Sequence, residues 1–463
     1  MVTSTPLGSS REIYDWLTGF INVERGQNLR NFCLDRMIAL AKMAGSPEKC
    51  APSVHIAGSK GKGSVTGMIA AILEASGMRI ASYASPHVYD FRERLLTGSR
   101  FFDEKTYVQA GNELKELVDT IPSSPYAQVF NPDYKNGEGP SFFELMTLWF
   151  FLCARLNCSQ AMIVETGLGG RLDATNILNP LVSVITRIEL EHTEYLGNTI
   201  AAISGEKAGI IKSKRPLVLA EQSDEALDVF REHAVSKNSP LFYFTDCVEV
   251  KNVSLTRAGT SFTLLFKKNC LKNANNEILP DLFIPIPGEI QAGNAGLAVL
   301  ATKIAFPNIT TANIRDGLAG FTLPARFECI SNTPPVVVDG AHTPLSIGST
   351  LHTFASLYGK GGILIFGCAA GKNVSSMAEL CAPYFSRIII TTPGTFKKSN
   401  PEEIFMYFNQ AVQRTSPSPE LLYIPDTAEA VDKAINLARQ RGLPLLGTGS
   451  FYLAGEIKKL ISP

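Results

Sequence analysis

What the 463-residue chain lacks narrows its function first. It has no charge of either sign to spare. Its 43 Lys and Arg balance 43 Asp and Glu, so it lacks the electrostatic footprint of a nucleic-acid binder or of a protein held on an anionic membrane. It has no apolar run long enough to span a bilayer. The nearest candidate, Phe142–Leu156, is short and interrupted by Glu144 and Arg155, so it reads as a buried helix. The N-terminus shows no basic-then-apolar leader pattern. None of the nine Cys stands in CxxC spacing, which excludes a structural zinc site of that type. Most lie beside apolar residues and read as buried, reduced thiols of a cytoplasmic protein without disulfides.

What is present is an alternation of strand-like and helix-like segments, the pattern of an α/β protein with parallel sheets. Strands are expected at 54–57, 79–83, 161–165, 182–186 and 216–220, with a helix over 62–76. Residues 240–287 change character: short β-rich runs separated by Asn, Lys and Gly predict an antiparallel excursion at the edge of the first domain. Helical spacing resumes at 291–304. The Gly- and Pro-bearing segment 320–326 reads as a hinge. A second block follows, with strands at 336–339, 363–367, 388–392 and 444–448. The length calls for more than one core, and the expected division is residues 1–322 and 323–463. The long 121–140 segment, with four Pro, reads as a functional loop.

Two glycine-rich turns carry the chemical signal. Residues 58–64 read Gly-Ser-Lys-Gly-Lys-Gly-Ser, after a strand and before a helix. Backbone N–H groups at a helix start, with Lys62, make an anion cradle, and Ser64 can reach a magnesium ion. The spacing departs from GxxxxGK[ST], since two residues separate Gly58 from Gly61 and Gly63 stands between Lys62 and Ser64. In the second turn an apolar strand delivers Glu165 to a turn with three glycines that carries Arg171 and Asp173. Such a carboxylate beside a glycine-rich turn suggests a nucleotide or metal site.

The GKGS form of the first turn resembles the Mur ligase superfamily. Further ordered segments tie the chain to its folylpolyglutamate synthase/dihydrofolate synthase family: HIAGSKGKGSV (55–65), SPHVYDFRERL (85–95), SFFELMT (141–147), VETGLGGRLDATN (164–176), ITRIELEHTEYLG (185–197), ISGEKAGIIK (203–212), GEIQAGNAGLA (288–298), ARFE (325–328), DGAHTP (339–344) and GTGSFYLAGE (447–456). The resemblance implies an N-terminal P-loop domain with a mostly parallel sheet and a smaller Rossmann-like C-terminal α/β domain. It implies an ATP-dependent ligase that adds L-glutamate to the γ-carboxylate of a folate, or to dihydropteroate. Phosphorylation activates the carboxylate as an acyl phosphate, which the amine attacks with loss of phosphate. Negative charge develops in both steps, so magnesium ions and fixed cations are expected.

By the same resemblance, Gly58, Gly61, Lys62, Gly63 and Ser64 cradle the nucleotide phosphates. Ser64, Ser85, Glu165 and His192 are the expected ligands of two Mg²⁺, and Lys207 matches a carbamylated lysine. Asn294 would contact adenine, and Arg326 would reach the ATP phosphates from the interdomain linker. Asp339 would contact the nucleotide, and His342 would lie near the reacting carboxylate or incoming glutamate. Phe142, Phe143 and the 121–140 loop are candidates for the pterin-side cleft. A monomer is implied, with no nucleic-acid or membrane partner. Three positions depart from the commonest pattern: Ser59-Lys60 stands for Thr-Asn, Glu191 for Asp, and Thr343 for Asn. Lys60 adds a charge compatible with ATP, and Thr343 places the fine geometry of the glutamate site in question. A peptidoglycan Mur ligase shares AHTP, but Gly58 lies too near the N-terminus for a UDP-binding domain to precede it. A non-catalytic nucleotide-binding relative would be expected to have lost Lys62, Glu165 or His192.

Overall fold

The structure is a computed structural model that describes residues 5–25, 33–130, 139–268, 270–271, 277–394 and 398–461. Three sheets organise it. The first contains β1 (Ser53–Ala57), β2 (Ile80–Tyr83), β3 (Leu95–Thr97), β4 (Arg100–Phe101), β5 (Ala161–Glu165), β6 (Val182–Ile185), β7 (Leu217–Leu219) and β8 (Leu241–Tyr243). Its eight strands lie in the order β4-β3-β2-β5-β1-β6-β7-β8. Pairing is parallel from β2 through β8, and β3 and β4 add an antiparallel edge. Strands β1, β2, β5, β6 and β7 are buried throughout, as both faces are covered by helices.

A second sheet holds β9 (Val248–Thr256), β10 (Gly259–Phe266) and β11 (Ile278–Ile284), all antiparallel. The sequence placed this excursion at the edge of the first domain, but it forms a sheet of its own. Phe262, Leu264 and Phe266 pack into one core with Ile69 and Ile72 of helix Lys62–Ala75 and Leu300 of helix Glu289–Ala305. Alternate residues of β10 point inward, so burial of one face rather than pairing with the main sheet holds it there.

The third sheet comprises β12 (Glu328–Asn332), β13 (Pro335–Val338), β14 (Gly362–Phe366), β15 (Phe385–Ile390), β16 (Glu420–Tyr423) and β17 (Leu445–Thr448) in the order β12-β13-β17-β14-β15-β16. It is parallel except for β12. The short strands β3, β4, β8, β12 and β16 have no counterpart in the sequence reading; all but β3 are edge strands, which carry weak apolar patterning, and β3 is only three residues long.

Register fixes which loops meet. Ile56 pairs with Glu165 and Ala57 with Ile185, so the turn after β1 is flanked by Glu165 and by the 186–192 segment. In the third sheet Val338 pairs with Gly447 and Phe366 with Thr448, which gathers the turns after β13, β14 and β17 at one edge. These two edges face each other, and the helix Phe451–Ile461 also touches the first domain: Lys458 lies 4.9 Å from the Tyr89 ring. Four Cys (153, 247, 368 and 381) are buried and three (50, 158 and 329) are exposed, so the expectation of mostly buried thiols is corrected; all nine are free. Among the described residues no helix is long and apolar enough to cross a membrane.

Candidate active site

The phosphate loop is shaped by close approach. Gly58 and Gly61 have φ of 141° and 90°, a region that glycine enters without strain. A Cβ at Gly58 would overlap the Thr186 hydroxyl, and one at Gly61 would meet Asn294 Oδ1 at 2.7 Å. The N–H groups of Ser59 and Lys60 donate to the Arg187 carbonyl at 2.9 and 3.2 Å. Gly61 then caps the helix that carries Lys62, Gly63 and buried Ser64 in its first turn. Lys62 curls over this loop and donates from Nζ to the Gly58 carbonyl at 2.9 Å.

Glu165 ends β5 directly beside the loop. A Cβ at Gly63 would touch its Oε2 at 3.5 Å. Glu165 is 3 % exposed, and Oε2 is buried without a hydrogen-bond partner. Burial raises its pKa to about 7 against the pull of Lys62, Arg326 and the Ser85 N–H. An orphaned buried carboxylate oxygen facing two cations is what a hard cation needs. Among the described residues no cluster of three or more His, Cys, Asp or Glu could hold a metal.

His192 caps the short helix Thr193–Leu196 in a left-handed conformation, φ 48°. His192 is exposed to solvent, and partial desolvation of its ring, with Lys62, Lys372 and Lys207 nearby, lowers its pKa despite Glu191. Ser85 and His192 line one cavity of 320 Å³ together with Phe143, Arg36, Glu144, Leu168 and Asp173. Phe142 does not: it is 1 % exposed in the core, edge-on to Tyr14, and that part of the sequence reading is corrected. The adjacent helix positions point in different directions, so only Phe143 reaches the cavity. Of the proposed pterin loop 121–140, residues 131–138 lie outside the described residues, and none of 121–130 or 139–140 lines this cavity.

Sequence reasoning missed the buried Arg36–Glu144 ion pair, 3.1 Å, in the cavity wall. Glu144 stood inside a quoted motif, but nothing near Arg36 marked it as its partner 108 residues away. Also missed was Arg94, which is fully buried, donates to His87 Nδ1 at 2.9 Å and grips Glu24 with both terminal nitrogens.

Lys207 is 2 % exposed and donates to the Gly58 carbonyl at 2.8 Å and to Glu191 at 3.0 Å. Glu191, one of the three departures, is therefore the partner of this lysine. Asp173 folds the second glycine turn, accepting from the N–H groups of Gly167 and Leu168, both at 2.9 Å. Asn294 lies within helix Glu289–Ala305, not at its cap, and packs on Gly61.

From the other edge, Arg326 holds its guanidinium 4.1 Å from the centre of the Phe451 ring. Asp339 accepts from the N–H groups of Phe327 and Ala341 and from the Thr350 hydroxyl, at 2.8, 2.9 and 2.8 Å. These contacts tie the linker to the turn after β13. His342 donates from Nδ1–H to the Gly340 carbonyl at 2.8 Å, and its Nε2 accepts from Lys60 at 3.3 Å. Thr343 caps helix Pro344–Tyr358 in a capping box with Ser346. Asn serves that position as well as Thr, which explains how the exchange is accommodated.

The Mur ligase glutamate ligase domain is matched by residues 325–451. Dihydrofolate synthase/folylpolyglutamate synthase of Bacillus subtilis is 32 % identical over 92 % of this chain and 94 % of its own length. The chain belongs to this family. Folylpolyglutamate synthase of Lacticaseibacillus casei is similar at 29 % identity over 92 % of this chain and 94 % of its own length. Among solved structures, folylpolyglutamate synthase of Mycobacterium tuberculosis complexed with ADP and AMPPCP has a TM-score of 0.83 at 27 % identity, covering 93 % of this chain and 96 % of that one. Family membership and the doubly anchored cleft thus point to the same class, an ATP-dependent ligase forming C–N bonds.

Proposed function

We propose that this chain uses ATP to join L-glutamate to the γ-carboxylate of a folate through an acyl phosphate, with dihydropteroate as a second acceptor. The observation that carries the reading is one seam. The buried Glu165 of the first domain feels Lys62 and, from the second, Arg326, and Lys60 of the same loop as Lys62 meets His342 of the second domain, beside a cavity of 320 Å³ lined by Ser85 and His192. We divide the chain at 322/323, so the nucleotide lies between two units whose closure excludes water.

In this reading Lys62 exchanges its loop carbonyls for phosphate oxygens, and the first-turn N–H groups of the following helix face the same anion. Arg326, stacked on Phe451, neutralises charge from the linker side. Ser64, Ser85, Glu165 and neutral His192 are assigned to Mg²⁺, which when bound offsets the charge that grows on the transferring phosphoryl group. Asp339 orients Arg326 and His342 by fixing the backbone on either side of them. Asn294, beside Gly61, is placed against the base. Phe143 and Leu168 supply the apolar wall for the pterin, and the Arg36–Glu144 pair gives its polar end. All of these assigned residues come from one chain, which is compatible with a monomeric working unit.

We also assign a carbamate to Lys207. Its amine is buried beside the phosphate loop, and burial lowers its pKa to about 8, which favours reaction of the neutral amine with carbon dioxide. The carbamate would part Lys207 from Glu191 and leave two anions for Mg²⁺ and Lys62 to hold. Peptide mass spectrometry under native conditions should find one added CO₂ on Lys207, and an unmodified lysine throughout would sink this assignment.

The deciding experiment is ATP- and glutamate-dependent mass gain of the acceptor. Product from tetrahydrofolate and dihydropteroate is expected. Product from tetrahydrofolate alone restricts the reading to polyglutamylation, and product from neither overturns it.

A further inference from the structure

The phosphate loop carries two lysines, and they go in opposite directions. Lys62 bends back onto its own loop, to the carbonyls of Gly58 and Ser59. Lys60 leaves the loop and crosses the cleft to His342 Nε2, 3.3 Å away. Its starting point is fixed on both sides. The Lys60 N–H is held by the Arg187 carbonyl, and the Ser59 hydroxyl by the Glu189 carbonyl at 3.0 Å. Its end point is fixed by the His342 tautomer, because Nδ1–H is committed to Gly340 and Nε2 must therefore accept.

Packing largely desolvates the ammonium there; Glu191 and Glu189 attract it, and Lys62 and Lys372 repel it. Its partner His342 is held neutral by burial and by Lys60, Lys372 and Arg326. The neutral imidazole brings no charge of its own to the pair, and an ammonium has three N–H donors, of which His342 takes one. The geometry is that of a cation aimed into the seam by the opposite domain.

We propose that Lys60 is a second phosphoryl-binding residue of the loop, which holds the γ-phosphoryl group of the nucleoside triphosphate, and that His342 acts as the positioning residue that aims it. The inference rests on the ATP-dependent reading above. It ties the Lys60 grip on the terminal phosphate to the second domain being in place, because His342 of that domain aims the ammonium.

The test compares ADP with a non-hydrolysable ATP analogue, by calorimetry in Mg²⁺. Lys60→Met should bind ADP within about 2-fold of wild type but the analogue about 10-fold more weakly, with kcat for ligation down about 100-fold. Lys60→Arg should restore most of the analogue preference. His342→Ala should show the same selective loss to a smaller degree, and Lys60→Met/His342→Ala should be no worse than Lys60→Met alone. Equal weakening of ADP and analogue would mean that Lys60 only supports the loop, and an unchanged preference would mean that it does not meet the terminal phosphate; either result overturns the proposal. Additive effects in the double variant would overturn the role of His342. Should wild type bind the analogue but ligate no glutamate, the substrate assignment fails while the binding arm still judges Lys60.

Discussion

Two strand-to-helix turns face each other across the cleft, and they are built differently. The turn after β1 is made by backbone: Gly58 and Gly61 take positive φ, and main-chain N–H groups lock onto Arg187. The turn after β13 is made by side chains: Asp339 gathers Phe327, Ala341 and Thr350, and Thr343 caps the helix that follows. The first spends its Ser59 and Lys60 amides on the Arg187 carbonyl and opens a helix with Lys62, Gly63 and Ser64 in its first turn. The second spends its carboxylate on internal order, which fixes the backbone next to Arg326 and next to His342. One turn is shaped by main chain, and the other by side chains.

The comparison is sharpened by breaking each half. Glu165→Ala should abolish turnover, by about 100-fold or more, since it removes the carboxylate beside the loop. Thermal unfolding should move far less than turnover, because Oε2 has no hydrogen-bond partner and only the Ser85 N–H loses its acceptor. Retained activity would refute the metal assignment. Gly58→Ala should cost about 2–4 kcal/mol in denaturant unfolding and most nucleotide binding, because φ of 141° and the Thr186 hydroxyl both resist a Cβ. A fully stable variant would show that backbone does not make this turn.

Asp339→Ala should destabilise by about 2–3 kcal/mol, as three donors lose one acceptor. Its damage to ligation should be matched by damage to stability, and an intact fold with lost nucleotide contact would instead make Asp339 a direct ligand. The smallest effect belongs to the cap. Thr343→Ala should cost about 1 kcal/mol and Thr343→Asn almost nothing, in either stability or KM for glutamate. A large change in that KM on Thr343→Asn would show that the position touches the amino acid.

Legibility followed the same division. The glycine turn was readable because an unusual backbone demands particular residues in a row, and 58–64 states them consecutively. Glu165 was readable because an acid at the end of an apolar strand is rare without a task. Asp339 was singled out as well, but its three internal bonds were not foreseeable, since they depend on where Phe327 and Thr350 arrive. Phe142 and Phe143 were indistinguishable as letters, and one helix step sends one into the core and the other to the cavity.

By itself, the sequence determined the α/β class, the glycine-rich turn after β1, the acid that ends β5 and the family, because each is carried by local pattern or by ordered motifs. Only the tertiary structure decided that Lys60 reaches His342 across 282 residues, that Lys207 pairs with Glu191, and that Arg36 meets Glu144. A side chain's direction is set by what packs against its whole element. Partners far apart in the chain are therefore joined by strand register and domain placement, which no short window of sequence contains.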